Sequence, residues 1–170
     1  MRLRDSLFLI KNIVNLHTIY NFTKIGQIMK TVGTATKVVE SISKETIFKF
    51  WADVNNWAKW NDDINSATLE GEFKEGSFFT LDLKNGQKVK IELLEVEPNR
   101  SFTDLTKFPL AKMYGIHEIV EKDGKIELVA TIKIEGILSF LWTKIVAQGV
   151  ADSLGSDMDK MIKLIENEKK

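Results

Sequence analysis

The stretch from Gly136 to about Glu168 constrains this chain most, because it carries the one long amphipathic helix pattern in the sequence. Leu138, Leu141, Trp142 and Ile145 fall on one face. Continued through Asn167, roughly 31 residues at about 1.5 Å each make a rod about 46 Å long, enough to span a small domain. The apolar stripe then changes phase. Leu154, Met158, Met161 and Ile165 lie about half a turn away, with Gly149 and Gly155 at the changeover. Ser156-Asp157-Met158-Asp159 reads as a fresh N-cap with acids in its first turn. The sequence therefore predicts a bent helix, or two helices nearly end to end, with the bend near Gly155.

Such a helix needs an apolar surface of matching length, and residues 72–136 supply it as strands. Asn85-Gly86 and Asp123-Gly124 are hairpin signals, and Pro98-Asn99 marks another turn. Register follows from keeping apolar residues on one face. A two-residue turn at Asn85-Gly86 would set Leu83 against Lys88. A three-residue loop, Asn85 to Gln87, instead pairs Leu83 with Val89, Leu81 with Ile91 and Phe79 with Leu93, and sets Asp82 against Lys90. At the last hairpin a two-residue turn pairs Lys122 with Lys125. That places Ile119 by Leu128, His117 by Ala130, Gly115 by Ile132 and Met113 by Ile134, all on the inner face. Leu93-Leu94 suggests a bulge, which leaves the face of Asp104 open.

Upstream, Thr31 to Ile42 reads as a strand. Ser43 is an N-cap for a short helix whose apolar face is Ile47, Phe50, Trp51 and Val54. Trp57 and Trp60 then cover one patch. They either plug the end of the core or, for Trp60, form part of a cavity wall. Ile64 to Leu69 is a second strand, closed by Gly71. Residues 1–30 form an extension with a basic start and a weak stripe of Leu3, Leu7, Ile10, Val14 and His17. It is either a mis-started leader to the domain at 31–170, with Met29 as the true start, or an amphipathic helix lying on a membrane or a partner. Its apolar run is interrupted by Lys11 and Asn12 without a following cleavage site, which speaks against a secretory signal.

Composition narrows the chemistry. With 170 residues and 44% hydrophobic content, the chain builds one domain with one core. Net charge is zero, which gives no electrostatic footprint for nucleic acid. There is no cysteine, so disulfides, thiol catalysis and thiolate metal sites are excluded. His17 and His117 are the only imidazoles, and no metal or cofactor is expected. No apolar run reaches the length of a membrane span. The reading is a cytoplasmic domain without stable membrane insertion.

His117 is the most informative residue. It projects inward beside Gly115 and Ala130, and an imidazole among aliphatic groups needs a hydrogen-bond partner. The plainer reading is a core histidine satisfied by a carbonyl or a carboxylate. The sharper one is a polar anchor on the wall of an apolar cavity, or a general acid or base.

The predicted order is a strand, two short helices, six antiparallel strands and the long helix, an α+β chain whose curved sheet wraps the terminal helix. In this the sequence resembles the START-like SRPBCC superfamily, in its polyketide cyclase/dehydrase and lipid-transport branch. The residues that carry the likeness run from Val54 through Trp57-Ala58-Lys59-Trp60 to Ile64, from Leu94 through Glu97-Pro98-Asn99-Arg100 to Phe102, and over Gly115-Ile116-His117-Glu118, with Ile134-Glu135-Gly136 leading into the helix. The likeness covers about residues 32 to 166. Where the family often has prolines before and within the long helix, this chain has Ile137 and Gly155. The resemblance implies a helix-grip fold around a cavity for a hydrophobic small molecule or lipid. Its members include carriers, cyclases and proteins of unknown role, so a binder, a cyclase or dehydratase using His117, and an interaction scaffold all remain open. The wall expected for that cavity is Trp60, Phe79, Leu81, Ile91, Gly115, His117, Ala130, Ile132, Trp142 and Ile145.

Overall fold

The computed structural model describes residues 28–168, so the expectations for the Leu3-to-His17 stripe lie outside the described residues. Seven antiparallel strands form one sheet: β1 (Lys30–Val39), β2 (Ile64–Glu70), β3 (Phe78–Leu83), β4 (Lys88–Glu97), β5 (Ser101–Phe108), β6 (Ala111–Lys122) and β7 (Lys125–Glu135). Their spatial order is β1-β7-β6-β5-β4-β3-β2. Between β1 and β2 lie helix α1 (Lys44–Ala52) and a 3-10 turn (Val54–Lys59). Helix α2 (Ser139–Trp142), a π turn (Thr143–Ala147) and helix α3 (Gln148–Glu168) follow the sheet.

Local chemistry sets the registers. Asp123 and Gly124 both take positive φ, 52° and 74°, as a two-residue hairpin turn of matching twist requires. Lys122 therefore faces Lys125, and the pairs from Met113–Ile134 to Ile119–Leu128 fall where the sequence places them.

The β3–β4 loop corrects the expectation. It does span three residues, but they are Lys84 to Gly86: Leu83 N donates to Gln87 O at 2.9 Å, and Gly86 N donates to Leu83 O at 2.9 Å. Asn85 Oδ1 accepts from Gln87 N at 3.0 Å, a local turn that draws Gly86 into the left-handed position, φ 84°. Phe79 thus faces Ile91, Leu81 faces Val89, and Asp82 faces Lys88. Lys90 turns instead to Glu70, at 3.0 Å. The slip is two residues, one full pleat, so every side chain keeps its predicted face.

The β4–β5 pairing is shifted between Leu93 and Glu95, which is the bulge expected there. It fixes the phase of β5. Phe102, Asp104, Thr106 and Phe108 sit opposite His117, Gly115, Met113 and Ala111 on the inner face.

At one end of the core, Ser43 caps α1 by accepting from Thr46 N at 3.3 Å. Ile47 and Trp51 are buried on α1, and Val54 and Trp57 follow on the 3-10 turn. Trp57 Nε1 donates to Trp51 O at 3.0 Å, and its ring meets Phe79 edge-on at 5.1 Å. Trp57 is the plug.

The terminal helix departs from expectation in a useful way. There is no break at Gly155: α3 is continuous, Ser156 bonds back to Ser153 O at 2.9 Å, and Asp157 is a buried mid-helix residue. The phase change is absorbed upstream, in the π turn, whose extra residue advances later side chains by about 100°. From there the inward set is regular: Ala147, Leu154, Met158, Met161 and Ile165 are buried. Gly33 on β1 lets the helix lie close, since a Cβ there would come within 2.9 Å of Ala151 Cβ. Asn61 Nδ2 ties the turn before β2 to Asp157 at 3.1 Å. Before Ala147, Phe140, Leu141 and Ile145 point to solvent, while Trp142 and Val146 pack against the core.

Candidate functional site

The inner faces of β5 and β6 bring one polar group beside an aromatic cluster. Asp104 and Gly115 are direct partners across the two strands, and Phe102 and His117 are the next inward pair. Asp104 Oδ2 lies 3.5 Å from His117 Nε2, with the carboxylate side chain 13% and the imidazole 21% exposed. That spacing is slightly longer than a well-formed hydrogen bond. The Phe102 ring stacks on the imidazole at 4.3 Å and 7°. Trp51 approaches it edge-on at 5.8 Å. Two rings thus hold the imidazole plane while the carboxylate addresses its Nε2 edge.

Gly115 serves this pair directly. A Cβ at Gly115 would stand 2.5 Å from Asp104 Oδ2 and 3.0 Å from its Cγ, so the carboxylate occupies the volume that a side chain would fill. The small residue makes room for an acid, where the sequence suggested room for a ligand. Two residues further along β5, Thr106 is 3% exposed and its Oγ1 is buried without a hydrogen-bond partner. A buried hydroxyl in that state has unused hydrogen-bonding capacity. Phe108 closes this lane: Trp142 stacks on it at 4.5 Å and 15°, with Trp142 Nε1 donating to Pro109 O at 3.0 Å.

The ten residues expected to form a wall separate into groups. Phe79, Ile91, Ala130 and Ile132 are buried in the core under the helix. Gly115 and His117 belong to the Asp104 cluster. Leu81, Trp60 and Trp142 are half-buried at its margins. Trp60 also borders an outer notch of about 160 Å³ that includes Lys49, Phe50 and Leu164, and His117 is not part of that notch. Ile145 is misplaced by the sequence reading: at 61% exposure it faces solvent, because the π turn carries it off the inner side.

Asp104, Phe102 and Thr106 are the members that sequence reasoning missed. The signal was present in the alternation Phe102, Asp104, Thr106, Phe108, but the bulge at Leu94 hid which side it faced. Tyr114, on the opposite sheet face, donates to Glu135 at 2.6 Å, and burial together with that bond pushes its phenol up to about 12. It stays protonated at neutral pH and takes no part in the inner cluster. Among the described residues no group of three His, Cys, Asp or Glu side chains is arranged to hold a metal ion.

No family model matches the chain, and no curated protein matches it in sequence. Its architecture does recur among solved structures. It is similar to Ara h 8.0201, with 12% identity over 82% of this chain and 99% of that one and a TM-score of 0.63. A norcoclaurine synthase point mutant from Thalictrum flavum, in complex with a transition-state analogue, is 9% identical over 84% of this chain and 98% of that one, with a TM-score of 0.64. The di-domain ARO/CYC StfQ of the steffimycin biosynthetic pathway is 10% identical, covering 86% of this chain and 54% of that one, with a TM-score of 0.67. Identities this low establish the fold alone. The chain has the helix-grip fold, a curved seven-stranded antiparallel sheet wrapped on a long terminal helix.

Proposed function

We propose that the chain binds a hydrophobic small molecule or lipid between the sheet and the terminal helix, in the cytoplasm, with Asp104 and His117 as the polar anchor for the ligand's one hydrogen-bonding end. The observation that carries this reading is the partly open Asp104–His117 pair on an otherwise apolar, aromatic inner face. A ligand of that kind gives the imidazole a partner and buries its apolar body against Phe102 and Phe108. Met158 and Met161 lie on the helix side, and unbranched thioethers readjust to a guest more readily than branched side chains do. The three neighbours, one of them bound to a transition-state analogue, support a fold suited to small organic ligands.

The test is to extract the purified full chain with organic solvent and analyse the extract by mass spectrometry, then to titrate the protein with an anilinonaphthalene sulfonate probe. A co-purifying apolar compound is expected, with probe affinity about tenfold weaker in H117A, the loss of roughly one charge-assisted hydrogen bond. Repeatedly empty protein with no affinity for the probe sinks the reading.

A second reading is favoured by the same pair: a carboxylate that orients an imidazole is the arrangement of a general acid–base, and a cyclase or dehydratase needs one within hydrogen-bond reach of the substrate. It requires that D104N and H117A each abolish turnover of an identified ligand while leaving its binding measurable.

A further inference from the structure

The inward row of β5 carries one polar group that the Asp104–His117 anchor does not use. We infer that this group, the Thr106 hydroxyl, is a second ligand contact that selects molecules carrying a neutral oxygen set back from the anchored end. The inference rests on the binding reading above and narrows its ligand class. Thr106 is 3% exposed, and among the described residues its Oγ1 is the one buried side-chain oxygen or nitrogen without a hydrogen-bond partner. Its cross-strand neighbours are Ile91 on β4 and Met113 on β6. Isoleucine offers no polar side-chain atom, and a thioether sulfur is only a weak acceptor. Valine has the same shape without the hydroxyl, so packing alone gives no reason for an oxygen at this position. Buried hydroxyls are nearly always partnered, and one that is not retains its full capacity for a guest.

Strand geometry fixes what fits. Asp104 and Thr106 are alternate residues on one face of β5, so their polar atoms stand about 7 Å apart along the strand. The Phe102–His117 stack ends this row on one side and the Phe108–Trp142 stack on the other. A guest held at His117 and lying along the strand therefore passes Thr106 before it reaches Phe108. Met113, directly opposite, is unbranched and readjusts to such a guest. A hydroxyl both donates and accepts, so a hydroxyl or a carbonyl on the guest satisfies it equally. The apolar neighbours disfavour a charged group at that point. A plain acyl chain gains nothing from Thr106. The class that gains is an apolar skeleton bearing two oxygen functions about 7 Å apart, the spacing of alternate strand residues.

The test uses the purified full chain, isothermal titration calorimetry and two rigid probes, 2-naphthol and naphthalene-2,6-diol, which differ by one hydroxyl at the far end of the ring pair. The wild type is expected to bind the diol about fivefold tighter than 2-naphthol, the effect of one neutral hydrogen bond. In T106V that order should reverse, because the second hydroxyl is then buried without a partner. Affinity for 2-naphthol should stay the same, and T106S, which keeps the hydroxyl, should retain the preference for the diol. Without ligand, T106V should melt no lower than the wild type, since it removes an unpartnered group. A lower melting temperature would mean that the hydroxyl already has a partner, and would overturn the inference. If 2-naphthol binds but the diol gains nothing that T106V removes, the second contact falls and the binding reading stands. If neither naphthol nor the anilinonaphthalene sulfonate probe binds, the binding reading itself falls and takes this inference with it.

Discussion

The two parts of the terminal helix, before and after the π turn, have similar apolar content and opposite fates. After Ala147 the helix commits its apolar side chains to the sheet, with Met161 and Ile165 each 1% exposed. Before Ala147, Phe140 and Ile145 are more than half exposed. The difference teaches that an amphipathic pattern fixes which residues share a face, while the neighbouring surface decides whether that face is covered. Behind α3 lie β1, β7 and α1; at α2 the neighbours are Phe108 and the short hairpin tip of Pro109 and Leu110.

That contrast is open to direct tests. The largest effect belongs to M161A, expected to cost about 3 kcal/mol in denaturant unfolding, the usual range for emptying a packed site. A loss below about 1 kcal/mol would mean that α3 is less committed than its burial indicates. Next is G33A, whose methyl would meet Ala151 Cβ at 2.9 Å. It should cost about 1–2 kcal/mol, because helix and strand must separate. If G33A leaves stability unchanged, the close approach is not a constraint.

Asp157 offers a smaller effect of opposite sign. Burial is the largest influence on its carboxyl and raises its pKa, partly offset by its bond to Ser153 and by Lys160. A carboxyl with a raised folded pKa takes up a proton more readily in the native state, so its ionisation penalises folding at neutral pH and the penalty lifts as the solution is acidified. D157N, which keeps an oxygen facing Asn61, should therefore melt roughly 3 °C higher at neutral pH. The gain should fade below the ordinary carboxylate range; a variant that melts lower at neutral pH contradicts this account. The smallest effect is at I145A, where a change within about 0.5 kcal/mol is expected, as for surface positions generally. A loss as large as that of M161A would show that the outer side of the π turn is packed after all.

Most of the architecture was legible because its determinants are local. Asp123-Gly124 fixed one hairpin, Ser43 announced a helix start, and alternation placed His117 inward beside Ala130. What was hidden depended on one-residue events. A bulge at Leu94 conceals the face of Asp104, and with it the partner that His117 needs. The β3–β4 register slipped by a full pleat because the Asn85 side chain rearranged the loop. Gly155 attracted the expected bend, although a lone glycine costs only about 1 kcal/mol in a helix interior and gives no hydrogen-bonding reason to stop. Nothing in the pattern of Thr143 to Ala147 announces a wider turn.

That wider turn makes the chain's surface sensitive to length as well as to identity. Deleting one residue between Thr143 and Ala147 would restore ordinary helical winding and swivel Ser139–Trp142 by about 100°, with a shortening of about 1.5 Å. Trp142 would swing off Phe108, and a different set of side chains would meet the outside. A single codon's worth of chain thus acts as a rotary setting for the molecule's face.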